Sequence, residues 1–196
     1  MKHVNETELG RGAPLYQLKI TLRGSKPAIW RRVVVRSDMR LDRLHGAIQR
    51  VMPWTNSHLH QFIVGRAYYG MPDPDFSGMG GEQFNEKSHT LVEIAPAAKK
   101  KFIYEYDFGD GWEHEVVVET VLPPDGGFKH PICLGGARAC PPEDCGGMGG
   151  YYRLLEALAN PKHPEHRELK EWIGGKWDAE RFDLDEVNDY LKRLKA

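Results

Sequence analysis

A chain of 196 residues that is 40% hydrophobic and 28% charged is long enough to bury a core, and its composition is ordinary for a globular protein. With 27 Lys and Arg against 28 Asp and Glu there is no bulk positive field to draw it onto nucleic acid or an anionic membrane, although a local basic patch stays open. No apolar run approaches the ~18 residues of a membrane span, and the opening MKHVNETELGRG has neither the apolar core nor the cleavage site of a signal peptide. The expectation is a cytoplasmic protein. Three cysteines, an odd number, argue against a secreted disulfide scaffold and for free thiols or metal ligands.

Residues 1–14 read as a polar, frayed leader and 15–196 as one domain. From Leu15, the alternation of Tyr16, Leu18, Ile20 and Leu22 with Gln17, Lys19, Thr21 and Arg23 specifies a strand with one wet face. Gly24-Ser25-Lys26-Pro27 supplies a turn, and Ile29 to Val35 forms the antiparallel partner, with Arg31 and Arg32 on opposite faces. Leu41, Leu44, His45, Ile48, Val51 and Met52 recur at helical spacing until Pro53 stops the helix. His45 lies on the apolar stripe and is expected to be a hydrogen-bonded core imidazole. His58 to Val64 reads as a strand with His58 and His60 on one face. A His-x-His pair can hold a metal only with a third ligand from elsewhere, and solvated histidines are the plainer expectation.

The run from Gly65 to Ser88 is rich in Gly, Pro, Asp and Phe and reads as a long loop, Thr90 to Ile94 as a short strand, and Lys99 to Lys101 as a solvated turn. Phe102 to Phe108 and Trp112 to Val121 make the strongest hairpin, expected at the centre of the sheet. A two-residue Gly109-Asp110 turn would set Asp107 opposite Trp112 and Glu105 opposite His114. A three-residue loop would break that register. After a cysteine-bearing loop, Tyr151, Leu154, Leu155 and Leu158 mark one helix, Pro164 to Ile173 a second with Leu169 and Trp172 inward, and Asp183 with Glu186 a capped start for a third that buries Val187, Tyr190, Leu191 and Leu194. Strands first and helices later, without β-α-β alternation, specify an α+β domain: a largely antiparallel sheet, one early helix and a C-terminal group of about three helices.

Several segments together resemble a known family: IWRRVVV at 29–35, LDRLHGAIQRVMPW at 41–54, HLHQF at 58–62, YEYDFGDGWEH at 104–114, CPPEDCGG at 140–147, GYY at 150–152 and FDLDEVN at 182–188. The combination is similar to the Ri-plasmid ORF-three-like family, also described as a resolvase-like passenger protein of certain insertion elements. One departure is Pro53, where the family pattern has Gly before the Trp. The resemblance implies an α+β domain and an association with mobile elements, and it implies no established activity.

The residues must therefore carry the chemistry. Asp107-Phe108-Gly109 spells a kinase metal-binding tripeptide, but no glycine-rich phosphate loop, V-A-I-K strand or H-R-D loop precedes it. Recombinase chemistry fares no better, because Ser25 stands in a turn and Tyr190 on the stripe of the last helix. Cys133, Cys140 and Cys145 follow C-x6-C-x4-C, a partial match to zinc spacing that His114 or His130 could complete; three small half-buried residues are the plainer expectation. Asp107, Asp110, His114, Glu143 and Asp144 are the candidate catalytic set, able to hold a divalent ion and activate water if the hairpin turn and the PPEDCGG loop converge, with either Arg138 or a metal compensating their charge. Loop closure by turn-capping carboxylates, with His114 bonded to Glu105, is the simpler use of the same residues. Two functions follow. The first is a non-catalytic accessory module presenting the 65–88 and cysteine loops to a protein or nucleic-acid partner. The alternative is a metal-dependent hydrolase, of which a phosphodiesterase or nuclease is one form, with zinc or another divalent ion as cofactor.

Overall fold

The computed structural model describes residues 12–72, 81–174 and 177–194. Among the described residues eight strands form one sheet in the order β5-β4-β3-β6-β7-β1-β2-β8. These are β1 (Leu15–Leu22), β2 (Trp30–Arg36), β3 (His60–Val64), β4 (Ala67–Gly70), β5 (Glu82–Asn85), β6 (Lys101–Tyr106), β7 (Trp112–Leu122) and β8 (Ile132–Ala137). Every neighbouring pair is antiparallel except β4 with β5. The expected α+β class and the central place of the 102–121 hairpin both hold.

The period-two signal does in space what it promised in sequence. Tyr16, Leu18, Ile20 and Leu22 of β1 are buried beside Phe102, Tyr104 and Tyr106 of β6 and Trp112, His114, Val116 and Val118 of β7, all on the face that the helices cover. On the other face Arg32 makes a two-pronged ion pair with Glu119, whose carboxyl the guanidinium holds down at about 2. Helix α1 (Leu41–Val51) lays Leu41, Leu44, His45, Ala47, Ile48 and Val51 into the core. Arg31, on the inner face of β2, is only 2% exposed and binds the sheet to the helix end: its guanidinium donates to the carbonyls of Val51, Ala137 and Arg138 at 2.7, 2.9 and 2.8 Å. Pro53, just past the helix, has φ of +21°, which a pyrrolidine ring resists and glycine adopts freely, and this is the position where the resembled pattern has Gly.

Four local readings are corrected. The supposed loop 65–88 contains β4, β5 and a 3-10 turn at Glu86–Ser88, while its segment 73–80 lies outside the described residues, as does most of the 1–14 leader. Thr90 to Ile94 is not a strand: α2 (Leu91–Ile94) is a single turn whose Glu93 carboxylate accepts from the Thr90 N–H at 2.6 Å. The hairpin pairs Tyr106 with Trp112, Glu105 with Glu113 and Tyr104 with His114, one residue away from the expected register. The inward aromatic residues decide this, because the two-residue turn would have set the buried face of one strand against the wet face of the other. Finally, α3 (Gly147–Ala159), α4 (His166–Trp172) and α5 (Leu184–Leu191) form the helical tail, but Trp172 of α4 is 48% exposed and Tyr190 of α5 is half-buried. The cap on α5 is as expected, Asp183 accepting from the Glu186 N–H at 3.0 Å.

Candidate functional site

Two loops meet at one end of the sheet. The five residues joining β6 to β7 are bracketed by left-handed Asp107 (φ +56°) and Gly111 (φ +66°), and Asp107 Oδ1 closes the turn by accepting from the N–H groups of Gly109 and Asp110 at 3.0 and 3.3 Å. Against it runs the segment before α3, where Asp144 is also left-handed (φ +59°). Asp110 Oδ2 accepts from the Gly146 N–H at 3.2 Å, and a Cβ on Gly147 would stand 2.5 Å from the Asp110 carbonyl oxygen, so glycine is what lets the loops touch. His58, in the connection before β3, completes the junction: its Nε2 lies 3.2 Å from Asp144 Oδ1 and 3.7 Å from Asp107 Oδ2. All three ligand-type atoms lie within 4.8 Å of one another.

Glu143 stands beside this trio in another role. Its carboxylate accepts from the Tyr106 hydroxyl and from the Thr55 N–H and hydroxyl, clasping the PPED loop to β6 and the end of α1. Burial and the Glu143 charge push the Tyr106 hydroxyl well above its usual value, so it stays a donor. Trp54 Nε1 donates to the Pro141 carbonyl at 3.0 Å and fixes the same loop from within.

The other sequence candidates lie apart. His114 is fully buried in the sheet interior, edge-on to Trp54, with Nδ1 3.3 Å from the Tyr104 carbonyl and not bonded to Glu105; burial lowers it to about 4, so it is neutral. The imidazole facing the acidic loops is His58. Arg138 is not the compensating cation either, because it pairs with Glu180. His130 Nδ1 is 3.0 Å from the adjacent Pro131 carbonyl. The three cysteines are free but do not share a loop: Cys133 is buried on β8, whereas Cys140 and Cys145 lie in the segment before α3. Burial raises all three thiols, Cys145 to about 12. Among the described residues no cysteine enters a ligand group of the kind that His58, Asp107 and Asp144 make.

From Glu143 a groove of about 610 Å³ extends between the Cys140–Glu143 segment, the end of α1 and α5. Trp54, Pro141, Trp177, Phe182 and Tyr190 form its apolar walls. Phe182 stacks under the Arg31 guanidinium at 4.6 Å, and Trp177 meets Tyr151 edge-on. Its charged lining is four carboxylates (Glu143, Asp178, Asp183 and Glu186) against two guanidinium groups, of which Arg31 is buried and Arg181 is paired with Glu186 at 2.7 Å. Sequence reasoning passed over Trp177 and Phe182. The available signal was a tryptophan and a phenylalanine in an otherwise polar connection between two helices, where no periodicity buries them.

Fold and site together define a single α+β domain with a carboxylate-imidazole junction at one end of its sheet and an aromatic groove beside it. The chain belongs to the plasmid pRiA4b ORF-3-like protein family, whose model matches residues 14–186. It is 38% identical over 185 residues to an uncharacterized protein, y4hQ, of Sinorhizobium fredii, with 94% of each chain covered. It is also similar to the crystal structure of MM3350, a protein of unknown function from Methanosarcina mazei Go1, with a TM-score of 0.78 and 35% identity over 89% of this chain and 97% of that one. No helix among the described residues is long and apolar enough to cross a membrane.

Proposed function

We propose that the protein is a non-catalytic binding module whose groove takes an extended, basic segment of a protein partner. The observation that carries this reading is the groove itself: about 610 Å³, walled by aromatic rings and proline, with four carboxylates against two guanidinium groups. Its volume lies within the ~300–1,000 Å³ of ordinary ligand sites. Rings and prolines suit an extended peptide, whose backbone lies flat against them. The acidic lining favours Lys or Arg on the peptide and opposes nucleic acid, whose phosphates would meet like charge. An accessory role beside a mobile element fits such a module, since accessory proteins act by contact.

A random 12-residue peptide library displayed on phage tests it. Enriched peptides should combine Lys or Arg with aromatic residues or proline and quench tryptophan fluorescence on binding. Trp177→Ala should weaken them by at least about tenfold, as loss of an aromatic anchor does at interfaces. If no peptide is enriched, or the enriched peptides bind Trp177→Ala as well as the parent, the reading fails.

A further inference from the structure

We propose that His58, Asp107 and Asp144 form a binding site for a first-row divalent cation of the Mn²⁺ or Zn²⁺ kind. The proposal does not rest on the groove, and either can fail without the other. His58 Nε2 is closed off from solvent and makes no hydrogen bond, although carboxylate oxygens stand 3.2 and 3.7 Å away. Close approach without hydrogen-bond direction is what ligands show when they face a common centre and not each other. An ion held at ~2.1 Å by nitrogen and oxygen spaces its ligands about 3 to 3.4 Å apart, near the observed separations.

Asp107 supplies an independent reason. Its side chain is only 10% exposed, and Oδ1 is spent on the Gly109 and Asp110 amides, which leaves Oδ2 turned toward His58 and Asp144. A carboxylate so far removed from water, with a second carboxylate beside it, is costly unless a cation joins them. Asp144, with 72% of its side chain exposed, leaves one side open for water to complete the coordination. One imidazole nitrogen with two carboxylate oxygens, and no sulfur, suits Mn²⁺ or Zn²⁺ better than a soft ion.

Mn²⁺ is the better probe, because zinc would also be drawn to Cys145. The full chain, stripped with a chelator, is titrated with Mn²⁺ while free ion is read by electron paramagnetic resonance. One ion should bind per chain, Asp144→Asn should weaken it by at least about tenfold, and Asp107→Asn with Asp144→Asn should abolish it. Asn tolerates the left-handed backbone at both positions and can still cap the turn, so urea unfolding should find the ion-free variants at least as stable as the ion-free parent, in which the two carboxylates face each other without a cation. The exposed Asp144 variant keeps the test valid if the double variant unfolds. Absence of saturable binding, undiminished binding by the folded double variant, or loss of binding in Cys145→Ser would each overturn the site.

Discussion

The histidines divide by surroundings. His45 is the hydrogen-bonded core imidazole that its place on the apolar stripe of α1 called for: Nδ1 is 2.8 Å from the Tyr104 hydroxyl, Nε2 is 2.7 Å from Asn56 Oδ1, and the ring stacks on His60 at 3.4 Å. Burial, then the neighbouring His60, lowers it to about 4, and burial, with the Arg31 charge adding to it, does the same to His114. Because both folded values lie below the unfolded ~6.5, the unfolded chain binds more protons between pH 6.5 and 4. The stability these groups contribute is complete above pH 6.5 and is lost as pH falls toward 4, on the order of 3 kcal/mol for each. Urea unfolding at pH 7.5, 5.5 and 4.5 should show that decline. His114→Leu should remove about half of it and cost about 1 kcal/mol at pH 7.5, since the Nδ1 contact to the Tyr104 carbonyl is lost while Nε2 has no partner to lose. An acid profile that overlays the parent's would assign the protons elsewhere. The buried place of His114 was readable from strand alternation, which sets it on the face of Trp112 and Val116. The part taken by His58 was not, because its two carboxylate neighbours arrive from loops 49 and 86 positions along the chain.

Among the elements, those with enough residues to show a period were legible. Strands β1, β2, β6 and β7 each offer three or more alternations, and α1 nearly three turns. Strands β4 and β5 and helix α2 have four residues apiece, too few for a period to rise above the Gly and Pro around them. The hairpin register escaped for another reason: Gly109-Asp110 looks like a two-residue turn, yet pairing of the aromatic faces outweighs local turn preference. The convergence of the two glycine-rich loops was visible in outline, and the glycines show why. A Cβ on Gly150 would stand 1.7 Å from the Cys145 carbonyl oxygen, whereas one on Gly149, the preceding residue of α3, meets nothing within 4 Å. Gly149→Ala should therefore stabilise the protein by about 0.5 to 1 kcal/mol through helix propensity. Gly150→Ala should destabilise it by about 3 kcal/mol, by forcing α3 off the loop that carries Asp144. Thermal unfolding of the two variants side by side is the check, and equal effects would mean that α3 is not seated on Cys145 as described.

In the molecule as a whole, the sheet that the described residues form has two edge strands, β5 and β8. The β5 edge is short and begins and ends in exposed polar residues, Glu82 and Asn85. The β8 edge is more hazardous, since Ile132 and Leu134 are 38% and 47% exposed and flank Cys133, whose backbone N–H and C=O point away from β2. Helix α5 closes that edge with one side chain. Asn188 Oδ1 accepts from the Cys133 N–H at 2.8 Å and its Nδ2 donates to the Cys133 carbonyl at 3.0 Å, an amide standing in for the next strand. The helix holding it is anchored independently by Val187 and Leu191, which are buried in the core. Asn188→Ala should therefore leave α5 in place but uncover two backbone groups, costing about 2 kcal/mol in urea unfolding. Because α5 still fills the place a further strand would take, the loss should appear in stability and not in association, and sedimentation velocity should show no more self-association for the variant than for the parent at the same loading. Asn188→Asp separates the two bonds: it keeps the acceptor for the Cys133 N–H, loses the donor, and adds a charge at the edge. It should lose more stability than the alanine variant, because its carboxylate stands where the amide donor met the Cys133 carbonyl oxygen. An Asn188→Asp variant as stable as the parent, or more self-association from Asn188→Ala than from the parent, would show that Asn188 and α5 do not close the β8 edge as described.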